Sequence, residues 1–179
     1  MKNFEQALDF CLRHETVYAK GHYGDLQFAI PEEEANDPGG FTFYGLDKRS
    51  HPQITTSLTL TEATEIYFTE YWEKAHCAEM VWPLSQVHFD GCVNVGIGQQ
   101  TKFIQRAAAV YDDGAWGPNT KRALMAAVND VGAVQVARHV CSQKKSFYRE
   151  LVARKPVMAR FLQGWLNRLN DLRSECGLD

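Results

Sequence analysis

Glu15 ends the first amphipathic segment of the chain, a position in which a carboxyl group could act as an acid catalyst. Apolar residues recur there at three- and four-residue spacing, which predicts a helical stripe formed by Phe4, Ala7, Leu8 and Cys11. Glu15 falls four residues further along the same stripe. Partial burial and the negative end of a helix dipole both disfavour a carboxylate anion, and a protonated carboxyl can act as a general acid. The alternative is a solvated Glu, or one paired with Arg13 or His14.

Asp90 is a second acidic residue in an unexpected place. It belongs to a predicted helix in which one face combines polar and small residues: Val87, Asp90, Gly91 and Asn94. Polar groups on an inward face need hydrogen-bond partners or a ligand. This face is therefore either a binding surface or a buried polar contact.

A segment rich in glycine, proline and threonine separates the first helix from the later ones. Asp37-Pro38-Gly39-Gly40 is a turn signal, because proline presets its φ angle and glycine reaches positive φ. Residues 22–30 and 41–44 are the strands that we expect on either side of it. A long irregular segment inside a compact domain is usually functional.

Helical periodicity returns after residue 60. Thr61 is the expected cap of the next helix, and Pro83 and Pro118 stand where two further helices can begin. Two more helices are expected over residues 132–153 and 156–174. The pattern predicts a mainly α protein with a small β-hairpin or loop region after the first helix.

Length and charge limit the organisation of the chain. The 179 residues suit one core of about 100 to 150 residues with an appended lobe. Residues 1–99 carry 6 Lys and Arg against 15 Asp and Glu, whereas residues 100–179 carry 13 against 7. A basic half suits a polyanionic partner such as cell wall, nucleic acid or a membrane surface. Solvated helix faces are the alternative explanation.

The cysteines and histidines predict neither a disulfide framework nor a metal site. The five cysteines are scattered and lack the spacing of metal ligands, so we expect buried or free thiols from a reducing compartment. The six histidines show no metal-like spacing either, and no cofactor is predicted. The first residues lack the apolar region of a secretory signal, which predicts synthesis in the cytoplasm without a signal peptide.

Motifs along almost the whole chain resemble, in their order, the glycoside hydrolase family 108 N-acetylmuramidases. These are lysozyme-like endolysins and secretion-associated muramidases with a C-terminal predicted peptidoglycan-binding region. After the helix that ends in Glu15, the matching motifs are Asp37-Pro38-Gly39-Gly40-x-Thr42-x-x-Gly45-Leu46, Tyr71-Trp72, Phe89-Asp90-x-x-Val93-Asn94-x-Gly96, Asp113-Gly114-x-x-Gly117-Pro118-x-Thr120 and Gly164-Trp165-x-Asn167-Arg168.

The resemblance implies a lysozyme-like catalytic core over residues 1–110 and a peptidoglycan-binding helical region over residues 111–179. It also implies cleavage of the β-1,4 bond between N-acetylmuramic acid and N-acetylglucosamine. In the family the catalytic Glu opens a Glu-Gly-Gly-Tyr motif, whose counterpart here is Glu15-Thr16-Val17-Tyr18. Both glycines are replaced, and the stretch to Asp37 is longer than the family spacing by roughly ten residues, about one short hairpin. This departure bears on loop geometry and substrate preference.

The chemistry assigns roles to three acids. Glycoside hydrolysis needs a protonated carboxyl for the leaving oxygen and a second group that positions water or stabilises the oxocarbenium-like transition state. Glu15 is the predicted acid, and Asp37 and Asp90 compete for the second role. Alternatively, Asp37 only forms the turn, and Asp90 is an internal hydrogen-bond partner that fastens the Glu15 helix to its own.

The candidate substrate-binding residues are polar, aromatic or small residues of the same motifs: Tyr18, Gly40, Thr42, Tyr44, Asn94 and Trp116. Thr42 and Tyr44 alternatively close the turn, and Asn94 alternatively satisfies a buried backbone group. A tryptophan in a helical stripe is usually core, which we expect of Trp165.

Two functions are compatible with these residues. The first is an N-acetylmuramidase that reaches the periplasm or cell wall through a holin or a dedicated secretion route. The second is a non-catalytic peptidoglycan-binding or secretion-associated protein on the same scaffold, in which the altered loop after Glu15 has abolished turnover. In both cases we expect a monomer that binds cell-wall peptidoglycan, without nucleic-acid binding or membrane insertion.

Overall fold

The computed structural model describes residues 2–18, 22, 24–30, 32–33 and 41–179 of the chain. The chain divides into two compact units, an N-terminal unit (Met1–Glu70) and a C-terminal unit (Tyr71–Asp179). In the part of the chain that is described, no helix has both the length and the apolar character needed to cross a bilayer.

The N-terminal unit consists of two helices and a small sheet. Its elements are α1 (Lys2–Glu15), a 3-10 helix (Leu26–Phe28), strands β1 (Glu32–Glu33), β2 (Phe41–Phe43) and β3 (Leu46–Asp47), and α2 (Leu60–Tyr67), after which comes a π-helical segment (Phe68–Glu73). The strands are antiparallel in the order β1-β2-β3. The predicted apolar stripe of α1 is buried, together with Phe10 and Leu12. The first helix therefore forms as its periodicity indicates.

Helix α2 begins at a reciprocal cap two residues before the predicted one. The Thr59 hydroxyl accepts from the Glu62 backbone N–H at 3.2 Å, and Glu62 Oε2 accepts from the Thr59 N–H at 2.8 Å. This capping box satisfies two backbone donors that the helix leaves open. The prediction of Thr61 as the cap is wrong, because Thr61 has no Glu three residues later to complete the pair.

The strand predicted over residues 41–44 forms, but the one predicted over residues 22–30 does not. The described part of that segment contains the 3-10 helix, and its extended pairing is a single bridge between Tyr18 and Ala29. The Asp25 carboxylate accepts from the Gln27 N–H at 3.4 Å. Such a local side-chain bond offers the backbone an alternative to strand pairing.

The C-terminal unit is helical. It contains α3 (Leu84–Val95), α4 (Ile97–Ala107), α5 (Pro118–Val131), α6 (Ala133–Arg154) and α7 (Ala159–Glu175), with short 3-10 helices at Cys77–Glu79 and Pro156–Met158. Gly96 and Gly132 separate successive helices at φ of 85° and 84°, angles that favour glycine. The predicted fold class, mainly α with a small hairpin region after the first helix, is confirmed.

A buried carboxylate connects three helices of the C-terminal unit. Asp90 on α3 is fully buried; its Oδ2 accepts from Lys144 Nζ on α6 at 2.6 Å, and its Oδ1 accepts from Arg168 Nε on α7 at 2.8 Å. Burial alone would raise the pKa of Asp90, but the charges of Arg168 and Lys144 outweigh it and hold the pKa at about 2. The carboxylate is therefore ionised across the whole neutral range.

Replacing Lys144 by Met should destabilise the C-terminal unit by about 3 to 5 kcal/mol, because one oxygen of a buried carboxylate loses its charge partner. Urea denaturation followed by circular dichroism measures the loss. Lys145→Met is the matched control on the same helix, since Lys145 is only half-buried. Equal stability of the two variants would contradict a structural role for the Asp90 contacts.

His88 is a buried histidine held in its neutral form. Its Nε2 donates to the Ala75 carbonyl at 3.1 Å, and its buried Nδ1 has no hydrogen-bond partner among the described residues. Burial, with a smaller effect from the charge of His76, lowers the pKa of His88 from 6.5 to about 4. Because the unfolded chain takes up this proton at a higher pH than the folded one, His88 favours unfolding as the pH falls from 6.5 towards 4.

We expect His88 to remove about 3 kcal/mol of stability between pH 6.5 and 4. His88→Gln keeps an N–H donor for the Ala75 carbonyl but does not titrate, so its free energy of unfolding should fall less over this range. Urea denaturation at several pH values compares the two proteins. Parallel curves would show that His88 does not carry the acid sensitivity.

All five cysteines are buried free thiols, as the sequence predicts: Cys11, Cys77, Cys92, Cys141 and Cys176. Burial raises the pKa of the Cys141 thiol to about 11 and that of Cys176 to about 12. It raises the pKa of Cys77 and Cys92 as well. These thiols are therefore protonated and unreactive at neutral pH.

Candidate active site

Glu15 is the last residue of α1 and is half-buried. The preceding stripe of α1 is buried, so Glu15 stands where a buried face of the helix reaches the surface. Its neighbours have contacts of their own: Arg13 Nε donates to Asp9 Oδ2 at 3.1 Å, and the His14 ring lies 4.5 Å from that of Phe10. This position combines partial burial with the negative end of a helix, as the spacing of α1 predicts.

The turn between β2 and β3 lies against Glu15. Tyr44 and Gly45 form this two-residue turn with φ of 51° and 77°, the signs that a type I′ hairpin requires. A Cβ atom on Gly45 would lie 2.4 Å from the Glu15 Cβ and 2.8 Å from the Tyr67 hydroxyl. Only glycine fits here, both for its backbone angle and for the close approach.

Tyr67 fixes the same turn from α2. Its side chain is fully buried, and its hydroxyl donates to the Tyr44 carbonyl at 2.9 Å. In the sequence, Gly45 stands out only as part of the motif that begins at Asp37. Since Tyr67 and Gly45 lie 52 and 30 residues from Glu15 in the chain, spacing alone gives no sign of their contact.

Three predicted substrate-binding residues lie in the described part of the N-terminal unit. The Tyr18 hydroxyl donates to the Leu12 carbonyl of α1 at 3.2 Å. Thr42 lies in the middle of β2, paired with Asp47 of β3, and the Tyr44 ring stacks on Phe43 with centroids 4.4 Å apart. All three are half-buried, and two of them belong to the hairpin whose turn contacts Glu15. Asp37 and Gly40 lie outside the described residues.

The other predicted residues belong to the C-terminal unit. Both oxygens of Asp90 are engaged by Lys144 and Arg168, an arrangement that favours the structural interpretation of Asp90 over the catalytic one. Its partners are on α6 and α7 rather than on the Glu15 helix. Asn94 Oδ1 accepts a short hydrogen bond from the Tyr148 hydroxyl, so Asn94 also serves a contact between helices.

Trp116, a binding candidate, and Trp165, expected in the core, are both half-buried and stacked on other rings. Trp116 stacks on His76 with centroids 5.7 Å apart and planes at 16°. Trp165 lies between Tyr148 and Phe161, at 5.2 and 5.9 Å. Trp165 is thus part of an aromatic row between α6 and α7 and not a fully enclosed core residue.

The N-terminal unit brings together the half-buried carboxyl of Glu15, the tight turn at Tyr44 and Gly45, and the hydroxyl-bearing Thr42 of β2. A carboxyl group in such a position suits proton transfer, and the neighbouring hydroxyl groups suit hydrogen bonds to a polar ligand. Among the described residues, no group of three or more His, Cys, Asp or Glu is placed to hold a metal ion.

Comparisons with known proteins give two family matches and a similar solved structure. Residues 31–96 match the family model described as Glycosyl hydrolase 108, and residues 99–170 match the one described as Predicted Peptidoglycan domain. Among solved structures, the chain is similar to the structure of Brucella abortus SagA, with a TM-score of 0.75 and 22% identity, covering 98% of this chain and 94% of that chain. No curated protein sequence matches the chain.

The matched ranges bear differently on the individual residues. Asp37, Thr42 and Asp90 fall inside the glycosyl hydrolase range, whereas Glu15 precedes it. The predicted domain boundary near residue 110 stays a prediction, since the family models meet between residues 96 and 99. The similarity to the Brucella structure shows a shared fold. The chain therefore contains a region that matches the glycosyl hydrolase 108 family, which supports a glycoside hydrolase of lysozyme type, followed by a region that matches a predicted peptidoglycan domain.

Proposed function

We propose that this protein is an N-acetylmuramidase that cleaves the β-1,4 bond between N-acetylmuramic acid and N-acetylglucosamine in peptidoglycan, with Glu15 as the general acid. The observation that carries the proposal is the position of Glu15, which is half-buried at the end of α1 and in close contact with the Gly45 turn. The peptidoglycan specificity is supported by the match of residues 99–170 to a predicted peptidoglycan domain.

In this mechanism Glu15 delivers its proton to the glycosidic oxygen as the bond to the anomeric carbon breaks. The positive charge that develops on the sugar needs a second group, either to stabilise it or to direct a water molecule. We assign this role to Asp37, because Asp90 is fully buried and already accepts from two cationic side chains. Asp90 then acts as a structural residue.

Substrate recognition in the proposal centres on the hairpin. Thr42 and Tyr44 carry hydroxyl groups that suit sugar hydroxyls and acetamido groups; Tyr44 belongs to the turn that contacts Glu15, and Thr42 lies in the strand that leads into it. Gly40 and Tyr18 belong to the same unit and remain candidates. Asn94 and Trp116 are weaker candidates, because each already has a partner within the C-terminal unit.

The action at the cell wall follows from the peptidoglycan-related domains. For the route, we propose synthesis in the cytoplasm and release through a holin or a dedicated secretion system, as a monomer that binds no nucleic acid. The replaced glycines at Thr16 and Val17 are the observation in favour of the alternative, a non-catalytic peptidoglycan-binding protein. Activity of the purified protein separates the two.

Glu15→Gln should lower the release of soluble muropeptides at least about 100-fold, because general acid catalysis typically contributes a factor of about 10² to 10⁴. Mass spectrometry of the digest should show N-acetylmuramic acid at the reducing end. Glu5→Gln is the matched control, an exposed Glu on the same helix. Equal activity of the wild type and Glu15→Gln would remove Glu15 from the mechanism, and no activity in either would favour the binding protein.

Gly45→Ala should lower the same activity at least about tenfold, because displacing a catalytic group by about 1 Å can cost a factor of about 100. The added methyl group would lie 2.4 Å from the Glu15 Cβ. Gly24→Ala controls for backbone strain: Gly24 has a φ of 84°, but a methyl group added there would meet no atom of a non-adjacent residue within 4 Å. Both variants should lose stability, and only Gly45→Ala should lose most of its activity. Similar activity losses in both would argue against a positioning role for the turn.

A further inference from the structure

Helix α5 presents most of its surface to solvent. Of its 14 residues, only Thr120 and Leu124 are buried. Met125 and Val131 are 55% and 52% exposed, and Val81, beside the helix, is 53% exposed. Single exposed apolar residues are ordinary, but Val81 and Met125 line one depression together, which is more typical of an interaction surface.

Three open depressions cross this face and share their walls. Their volumes are about 670, 440 and 140 Å³. Arg122 lines the first and the second, and Met125 lines the second and the third. We call the combined surface the α5 strip, and it is defined by Tyr111, Asn119, Arg122, Met125, Asn129 and Val81.

Arg122 is the cation of the α5 strip that is open to a ligand. Its Nη2 donates to Asn119 Oδ1 at 2.7 Å, and in the described part of the chain no carboxylate pairs with it. The neighbouring Lys121 differs, because its Nζ is 2.8 Å from Glu79 Oε2. A guanidinium with unused donors suits a carboxylate, which it can bind in a bidentate manner.

Tyr111 supplies an aromatic surface at one end of the strip. Its side chain is 84% exposed and lines the largest depression with Val110 and Ala126. An exposed aromatic ring with a polar hydroxyl is suited to stacking on a sugar ring while hydrogen-bonding beside it. At the other end, Val81 and Met125 offer an apolar contact.

The shape of the strip favours an extended ligand. Sites for small molecules are usually concave and enclose most of the ligand, whereas these depressions are open and continuous. Residues 119–129 alone extend about 15 Å along the helix axis. Peptidoglycan is an extended chain of alternating amino sugars with carboxylate-bearing stem peptides attached to its N-acetylmuramic acid residues, so it offers both groups that the strip can bind.

We infer that the α5 strip is the peptidoglycan-binding surface of the C-terminal unit, with Tyr111 against a sugar and Arg122 paired with a carboxylate of the stem peptide. The inference rests on the proposed function, because it takes the ligand class from the predicted peptidoglycan domain. It assigns specific residues to that binding.

Pelleting with purified sacculi, stripped of covalently attached anionic polymers, tests the α5 strip. All proteins carry Glu15→Gln and are kept at 4 °C, so that the sacculi stay intact. Relative to this parent, we expect Arg122→Glu to bind about tenfold more weakly and Tyr111→Ala about fivefold more weakly. Added salt should weaken the parent more than Arg122→Glu, because it screens the charge pair.

Two matched controls use exposed residues outside the strip. Arg149→Glu on α6 makes the same charge change, and Phe161→Ala on α7 removes another exposed aromatic ring. Both should bind within about twofold of the parent, which is a small change beside the loss expected of Arg122→Glu. Circular dichroism confirms that each variant is folded. Parent-like binding by both Arg122→Glu and Tyr111→Ala, binding loss in Phe161→Ala instead, or no binding by the parent would each overturn the inference.

Free stem peptide added to intact sacculi tests the assigned partner of Arg122. It should lower the binding of the parent towards that of Arg122→Glu and leave Arg122→Glu unchanged, and an equal effect on both proteins or no effect on the parent would overturn the stem-peptide assignment. Pelleting measures binding without turnover, so its result does not depend on the muropeptide digest. The two assays therefore distinguish an error in the muramidase assignment from an error in the assignment of the α5 strip.

Discussion

The C-terminal unit depends on one buried carboxylate and its two cationic partners. Taking Asp90, Lys144 and Arg168 out of water is costly, and their mutual attraction offsets this only when the geometry is good. Each carboxylate oxygen meets one nitrogen, at 2.6 and 2.8 Å, from a different helix. A rotation of α6 or α7 about its axis would break one of these contacts, so the ion cluster specifies how the two long helices face α3.

In the N-terminal unit, close backbone contacts fix the position of Glu15. Gly45 lets a tight turn lie directly against the end of α1, and the buried Tyr67 hydroxyl fixes that turn through the Tyr44 carbonyl. A larger residue at position 45 would push the hairpin away from Glu15. The proposed acid is thus placed by the close approach of two chain segments, and the same hairpin presents the hydroxyl group of Thr42.

The sequence predicts the features that depend on residues close together in the chain. The α1 stripe follows from helical periodicity, and the odd position of Asp90 indicates a need for partners. The identity of those partners does not follow, because Lys144 and Arg168 lie 54 and 78 residues further along the chain. The contact of Gly45 with Glu15 is equally non-local. By contrast, the cap at Thr59 is predictable from the sequence, since Thr59 and Glu62 form the Thr-x-x-Glu pattern of a capping box.

The five buried thiols have a consequence for where the protein can work. A thiol that is protonated and shielded neither attacks a disulfide nor oxidises readily. Moving from a reducing interior to an oxidising exterior therefore changes no covalent bond in the described structure and requires no pairing enzyme. The proposed route from the cytoplasm to the cell wall therefore needs no change at the cysteines.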